Sequence, residues 1–541
     1  MDNNLPVDLL HWSLALLPLA LLLIMLVVLK WSGPVSGWIA MGVAALIAFT
    51  MYQAPLDNVA VGFGKGLWEA FFILLVVWPA LLLYQVTKEA GAFTAIREGL
   101  QEHTKNYLFL VLAFGWVFAS FLQGIAGFGA PIAVVAPLLI GIGVKPVTAV
   151  VIPLIGHAWA NMFGTLAVGW IATINIIEIE NQALTLTLTG IMLWIPNIVA
   201  GLMICWLFAK WKGVKEGFIA VIVISVIHGG GQLALVQVNP TLSNFIPATL
   251  AIGALFLLAR MDKYKEKTEL QKDTDILEED DPDEAAEEGE VKTSIHKAFM
   301  PYYVLTVISI IALGIPGVTN MLEQVEWGPP FPAVETGYGH EVEAEEAYSP
   351  IEPLTHPGLY LLISSIFAYF WFKKVGLYKD DNEVKSNIWS GVKDNAVGAS
   401  LAISGFLTMT EIMGSSGQTT VLALGIGEVS PPVVYVALAN GIGIIGAFMT
   451  SSNTASNVLF APLHHSVAGS MDGLSVPHVI AAQSVGGAIG NSIAPANVIL
   501  GTSTAGIKGK DAEVFKPTLV FTLISGILVS AVAVVMFLML G

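Results

Sequence analysis

The stretch Ser451-Ser-Asn-Thr-Ala-Ser-Asn457 carries a hydroxyl or an amide on nearly every residue, yet it stands between long apolar runs. Polar side chains at membrane depth are costly and are kept where they line a site. Ser452, Asn453, Thr454, Ser456 and Asn457 are therefore the first candidates for holding a small polar ligand. A second stretch, Gln123-Gly-Ile-Ala-Gly-Phe-Gly-Ala-Pro131, combines three glycines with a proline. Glycine permits positive φ and close backbone approach, and proline removes a backbone donor, so this stretch interrupts a helix. It offers Gly127, Gly129 and Ala130 to a ligand. Asn161 and Asn491 in the spans that follow join the list. The chemistry is that of binding: a helix N-terminus carries partial positive charge and suits a carboxylate without any arginine.

Patterns that suggest other chemistry lack their context. Gly441-Ile-Gly-Ile-Ile-Gly446 fits a dinucleotide fingerprint but sits inside an apolar span with no strand before it, so packing glycine is expected. His228-Gly-Gly-Gly231 has no accompanying nucleophile elbow. His464 and His465 are adjacent, and neighbouring helical side chains point to different faces, so a shared metal ion is not expected. The single cysteine, Cys205, excludes a disulfide framework and a cysteine metal site. An enzyme is not expected, nor is any organic cofactor, and nothing points to nucleic acid.

The elements that must position these residues are set by lipid. Of 541 residues, 55% are hydrophobic and only 12% charged. The apolar runs recur at intervals of roughly 30 residues, as helices of about 20 residues crossing a core about 30 Å thick require. The expected fold is an all-α polytopic membrane protein of about 12–14 transmembrane helices plus interrupted or re-entrant segments. Lys30, Arg97, Lys105, Lys210 to Lys215, Arg260 to Lys267, Lys373 to Lys379, Lys508 and Lys510 gather near helix ends. Basic loops are retained in the cytoplasm, which leaves the acidic segments Ile176 to Glu180 and Glu323 to Glu352 outside, with the N-terminus. Asp2 and Asp8 precede the first apolar run and Lys30 follows it, the reverse of a cleaved signal peptide, so Leu9 to Leu29 should remain as a helix in the inner (plasma) membrane. Much of the net charge of −17 sits in acidic stretches outside the apolar runs. One of them, DTDILEEDDPDEAAEEGE from Asp273 to Glu290, is too polar to build a core and reads as a disordered or loosely helical cytoplasmic linker. The expected division is a membrane half over 1–260, a linker over 261–298 and a second membrane half over 299–541.

The two polar stretches correspond. Gly127 to Leu139 and Ser452 to His464 share Ala-Pro-Leu at Ala136 to Leu138 and Ala461 to Leu463, and in the following spans Gly156, Asn161 and Val168 match Gly486, Asn491 and Val498. The charge-based orientation runs the two copies in opposite directions. Two inverted repeats with interrupted helices are the pattern of secondary transporters, which bind substrate near the midplane between the halves.

FLQGIAGFGAP at Phe121 to Pro131, GAFMTSSNTASNVLFA at Gly446 to Ala461, and the tail from Gly509 resemble the L-lactate permease family of bacterial lactate and glycolate transporters. The resemblance implies a symporter for small 2-hydroxymonocarboxylates, usually proton-coupled. Two positions depart from the family's pattern: Gln123 stands where glutamate is common and Asn453 where aspartate is common. Neither amide titrates. His157, where the family usually has asparagine, could take the proton instead. Ser452-Asn453-Thr454 also resembles the motif of sodium-coupled dicarboxylate transporters, whose oxygens hold a hard cation. The coupling ion is thus H+ or Na+, with Gln123, His157, Asn453 and Thr454 as the coupling positions. The alternatives are an anion channel or a carrier for a sulfonate or dicarboxylate. One subunit or a homodimer fits equally.

Overall fold

The computed structural model describes residues 5–29, 31–127, 129–272, 274–278, 293–378, 381–507 and 510–540. Phe128, Lys30, Lys379, Lys508 and the acidic run 279–292 lie outside them. The described chain is mostly helical; its one two-stranded ribbon pairs β1 (Val334–Glu335) antiparallel with β2 (Glu341–Val342), in an irregular segment that also holds the bridges Trp327–Ile351 and Phe331–Glu345. Eight helices among the described residues are long and apolar enough to cross a membrane, and five shorter apolar helices accompany them.

The first helices are α1 (Leu9–Leu23), capped by the Asp8 carboxylate on the Leu10 and His11 N–H groups, α2 (Gly33–Met51) and α3 (Leu56–Glu89). A short amphipathic helix, α4 (Ala92–Gln101), leads into α5 (Tyr107–Ile125). The chain then breaks at 126–129 and returns as α6 (Ala130–Ile140). This is a hairpin: a Cβ on Gly115 would lie 3.7 Å from Leu139. The next span is broken rather than folded back, with α7 (Pro146–Ala158) followed by α8 (Gly164–Ile176). The segment Gln182–Leu235 also contains a fold-back, because Ala209 and Lys210 leave the helical region. Trp194 and Asn197 accordingly reach Ser225. We label its arms together as α9, and the span after it α10 (Pro240–Leu258).

In the second half come α11 (Ile295–Gly314), α12 (Pro316–Leu322), the ribbon, α13 (Pro357–Lys374), α14 (Asp381–Ser415) and α15 (Gln418–Val429). Then the order of the first half recurs. Helix α16 (Pro432–Thr450) breaks at 451–452 and returns as α17 (Asn453–Ser470). Tyr435 bonded to His464 and Gly443 bonded to Ser456 make it a second hairpin. A broken span follows, α18 (Val476–Gly490) and α19 (Pro495–Thr504), and α20 (Asp511–Leu540) closes the chain.

The helix ends fall into two sets. At one end of the molecule Asn106 and Lys215 both bond to Lys263, and Lys145 bonds to Asp275 and Ile276. At the other, Gln53 meets Gly337, His340 meets Gly414, and Ser349 meets Asn175. The first hairpin opens toward the Lys263 end, where Asn106 and Lys145 lie. The second opens the opposite way: α17 runs beside α8 toward Asn175, as the Asn457–Thr173 bond shows.

Close packing follows from small residues, as is usual between helices in lipid. A Cβ on Gly66 of α3 would sit 2.4 Å from the Thr408 backbone of α14. Of the glycines expected to pack, Gly443 and Gly446 do, since a Cβ there would lie 2.2 Å from the Gln483 carbonyl and 2.3 Å from the Ser456 hydroxyl, whereas a Cβ on Gly441 would meet nothing within 4 Å. One expectation is corrected. The linker, expected to be unpacked from Asp273 onward, is attached at its start: Thr274 bonds to Phe208, Asp275 to Lys145, and Leu277 bridges to Val144. Tyr264 is likewise buried, stacked on Phe109 at 5.1 Å. Apolar Ile276 and Leu277 supply what the acidic run cannot.

Candidate functional site

The tips of the two hairpins and the breaks of the two interrupted spans meet around one cavity, with about 390 Å³ of free space including its mouth. Its lining is Gln123, Gly127, Gly129, His157, Asn161, Thr165, Val168, Ser451, Ser452, Asn453, Thr454, Asn491 and Asn497. None is an acid, a lysine or an arginine. Nine are residues expected from the sequence: Gln123, Gly127, Gly129, His157, Asn161, Ser452, Asn453, Thr454 and Asn491. Three expected residues are not in the lining. The Ala130 N–H is taken by the Gly127 carbonyl, the Ser456 hydroxyl donates to the Gly443 carbonyl at 3.1 Å, and Asn457 stands one turn behind, in the wall.

Each break has a local cause. Gly129 adopts φ +86°, which a side chain would make strained, and a Cβ there would lie 2.3 Å from Leu500. The Gly127 N–H finds its acceptor outside the helix, in the Thr165 hydroxyl at 2.8 Å. Thr165, Leu166 and Ala167 follow one another at φ 49°, 51° and 62°. Such a left-handed turn costs roughly 1–2 kcal/mol per residue without glycine and persists only where surrounding packing imposes it. In the second hairpin Ser451 is left-handed at φ 57°, and Ser452 caps α17 by accepting the Ala455 N–H at 3.2 Å.

This geometry aims helix N-termini at the cavity. Gly129 is the cap of α6, Ser452 the cap of α17, and Asn497 lies in the first turn of α19. The first N–H groups of a helix have no acceptor within it, but at α6 Ala130 donates to Gly127 and Ile132 to Gly129, and at α19 Ala496 donates to the Ser451 hydroxyl, so at these two ends it is the partial positive charge of the helix dipole that suits an anion. The side chains add directed polar groups. Asn161 donates to the Ala158 carbonyl at 2.8 Å. Asn497 donates to the side-chain oxygen of Asn491 at 2.9 Å and to its backbone carbonyl at 3.2 Å. His157 Nδ1 lies 2.5 Å from the Pro153 carbonyl, so it donates there, and Nε2 lies 3.3 Å from the same Asn491 oxygen. Behind the lining, the Asn457 amide donates to Thr173 at 3.1 Å, to Ser484 at 3.3 Å and toward the Met162 sulfur at 3.3 Å. The side-chain oxygens of Asn453 and Asn457 are buried without partners.

Sequence reasoning missed Thr165, Val168, Ser451 and Asn497 as lining residues. Ser451 belongs to the polar run and Val168 to the repeat, but neither pattern marks it as a lining residue. Asn497 could have been found from Pro495, which marks a helix start after Asn491. Nothing local announces Thr165, because a left-handed turn without glycine leaves no mark in composition.

A described chain of apolar helices, folded around interrupted segments that bury a polar cavity, defines a polytopic membrane protein. The L-lactate permease family model matches residues 12–540, and the chain belongs to that family. It is 26% identical over 563 residues to the L-lactate permease of Escherichia coli (strain K12), covering 97% of this chain and 96% of the relative. The L-lactate permease of Halalkalibacterium halodurans is 25% identical over 525 residues, covering 94% and 93%. The glycolate permease GlcA of Escherichia coli (strain K12) is 27% identical over 547 residues, covering 94% and 92%. Among solved structures, the YdaH transporter of Alcanivorax borkumensis is similar with a TM-score of 0.43 and 14% identity, covering 87% of this chain and 86% of that one.

Proposed function

We propose that the protein is a secondary carrier of a small carboxylate, in the size and chemical class of lactate and glycolate, driven by an ion gradient across the inner (plasma) membrane. The observation that carries this reading is the convergence of three helix N-termini on a buried cavity with no charged side chain. An anion is attracted there without a fixed countercharge, so it can leave again. The hydroxyl of a 2-hydroxy acid finds amide and hydroxyl partners in Asn161, Asn491, Asn497 and Thr165. The opposite openings of the hairpins fit two inverted repeats, with the Lys263 end cytoplasmic and the N-terminus outside. Rocking one set of elements against the other would expose the cavity to each side in turn.

Two ions fit the site. A proton fits His157, both of whose ring nitrogens face oxygen acceptors. Sodium fits the partnerless oxygens of Asn453 and Asn457. The test is uptake of labelled L-lactate into proteoliposomes under imposed pH or sodium gradients, with glycolate, a dicarboxylate and a sulfonate as competitors. Saturable uptake with counterflow, competed by glycolate, is the expected result. Non-saturable flux would indicate a channel, and flux with none of these anions would end the reading.

A further inference from the structure

Away from the cavity, a second polar cluster is built where the segment before α13 meets α3. Glu69, in the fourth turn of α3, is fully buried. Its Oε1 accepts a hydrogen bond from the Ser349 hydroxyl at 2.5 Å. Its Oε2 is buried without a partner. The nearby ammonium of Lys65 is engaged elsewhere, 2.6 Å from the Glu345 carboxylate and 4.5 Å from the centre of the Tyr348 ring. Ser349 is held in place by Trp68, whose indole N–H donates to its carbonyl at 3.0 Å, and adopts φ 37°, a backbone conformation that needs support from its surroundings. The same hydroxyl lies 3.1 Å from the carbonyl of Asn175. Asn175 is on α8, the helix whose other end supplies Thr165 and Val168 to the cavity and whose Thr173 accepts from Asn457.

We propose that Glu69 is a proton-carrying group of the transport cycle, and that Ser349 passes its protonation state to the helix that lines the cavity. The proton count is simple. The Ser349 hydroxyl has one hydrogen and two acceptors within reach. While Glu69 is ionised, that hydrogen goes to Oε1. When a proton from water binds Oε1, Glu69 becomes the donor to Ser349 Oγ, and the Ser349 hydrogen turns to the Asn175 carbonyl. No bond other than these O–H and hydrogen bonds changes, and the reverse order returns the proton to water. An ionisable side chain within a membrane-spanning helix is costly to keep and marks ion pathways. The groups facing Glu69 are Lys65 on its own helix, Glu411 on α14, Glu345 and Tyr348 on the segment before α13, and His356, whose ring lies against Phe72 at 4.9 Å. Helices α2 and α8 contribute no titratable side chain.

This proposal rests on the carrier reading above, and the test separates the two. Purified protein in proteoliposomes is assayed for accumulation of labelled L-lactate under an imposed pH gradient, for lactate-induced proton movement with a trapped dye, and for exchange of labelled against internal lactate. A one-unit pH gradient sustains about tenfold accumulation by a one-to-one symporter. Glu69→Gln is expected to lose that accumulation and the proton signal while exchange stays within about threefold of wild type. Glu69→Asp should recover part of the accumulation, and Ser349→Ala should weaken it with exchange intact. Wild-type accumulation by Glu69→Gln overturns the proposal. So does loss of exchange together with accumulation, which assigns Glu69 to the fold, and so does lactate transport by wild type without proton movement. Absence of lactate or glycolate exchange by wild type overturns the carrier reading instead.

Discussion

Two of the polar clusters that the described residues bury are built from different chemistry. Around the cavity the groups are amides, hydroxyls and one histidine, supplied by broken backbone. Between α3, α14 and the segment before α13 they are carboxylates and a lysine, supplied by long, continuous helices and a loop that packs onto them. Neutral donors can bind an anion and release it, whereas a fixed countercharge at the same place would hold it. On the proposed reading, placing the carboxylates away from the cavity would let charge change without direct contact with the anion. The first test of this division is Asn457→Leu. It removes the three amide contacts to Thr173, Ser484 and Met162 that join the second hairpin to α8 and α18. Two buried bonds lost with their partners left unsatisfied cost about 2–3 kcal/mol, roughly a hundredfold in transport rate. Uptake measured at matched expression should fall by that order, and normal uptake would remove the second hairpin from the translocation path.

The comparison sharpens if charge is moved into the neutral region. In Asn453→Asp a carboxylate would stand in the cavity lining, against α18, where a Cβ on Gly487 would already be 2.1 Å from the Asn453 oxygen. A carboxylate beside a bound anion is repelled unless protonated. Uptake should therefore gain stimulation by acid and lose any sodium dependence, while the order of competing anions stays the same. Identical pH and sodium profiles in the two forms would show that this position does not see the ion. A smaller effect is expected in the charged region from Lys65→Met. It removes the ion pair to Glu345, which is 41% exposed, and the contact over Tyr348. A half-exposed pair with a cation–ring contact is worth about 1–2 kcal/mol. The thermal unfolding midpoint in detergent should drop modestly, and an unchanged midpoint would mean the segment before α13 is held by its apolar contacts alone.

The sequence made the first region more legible than the second for a physical reason. Glycine, proline and clustered amides have no ordinary use in a lipid-facing helix, so Gln123 to Pro131 and Ser451 to Asn457 stand out by composition alone. That they fold as hairpins from opposite ends, with spans broken near Asn161 and Asn491 beside them, depends on tertiary contacts such as Gly115 to Leu139 and Tyr435 to His464, which no local pattern contains. Thr165 escaped notice because its left-handed turn is imposed by packing. Lys65 and Glu69 escaped it because two charges away from the ends of a long helix read as interruptions of an apolar run. Their partners, Glu345 and Ser349, lie 280 residues away in the chain. The charged cluster is a product of long-range folding, and charge patterning places the acidic segment Glu323 to Glu352 only on the outside, with no packing partner implied.

The smallest expected effect concerns the acidic run between the halves. Its charge repels itself and its apolar content cannot support a core, so replacing 279–290 with a Gly/Ser segment of equal length should leave lactate uptake within about twofold of wild type. The boundary of this freedom is set by the five residues before it. Thr274 bonds to the Phe208 carbonyl beside the α9 fold-back, Asp275 offers its carbonyl to Lys145 at 2.7 Å, and the Leu277 bridge to Val144 adds a backbone pairing at the open end of the first hairpin. Extending the Gly/Ser replacement to include 274–278 removes these attachments together with the buried Ile276 side chain. Burial of one such side chain is worth about 1.5–3 kcal/mol, so the longer replacement should lower the unfolding midpoint where the shorter one does not. Equal midpoints for the two would show that the first hairpin is anchored without this strap, and a large loss of uptake from the shorter one would assign the acidic run a part in transport.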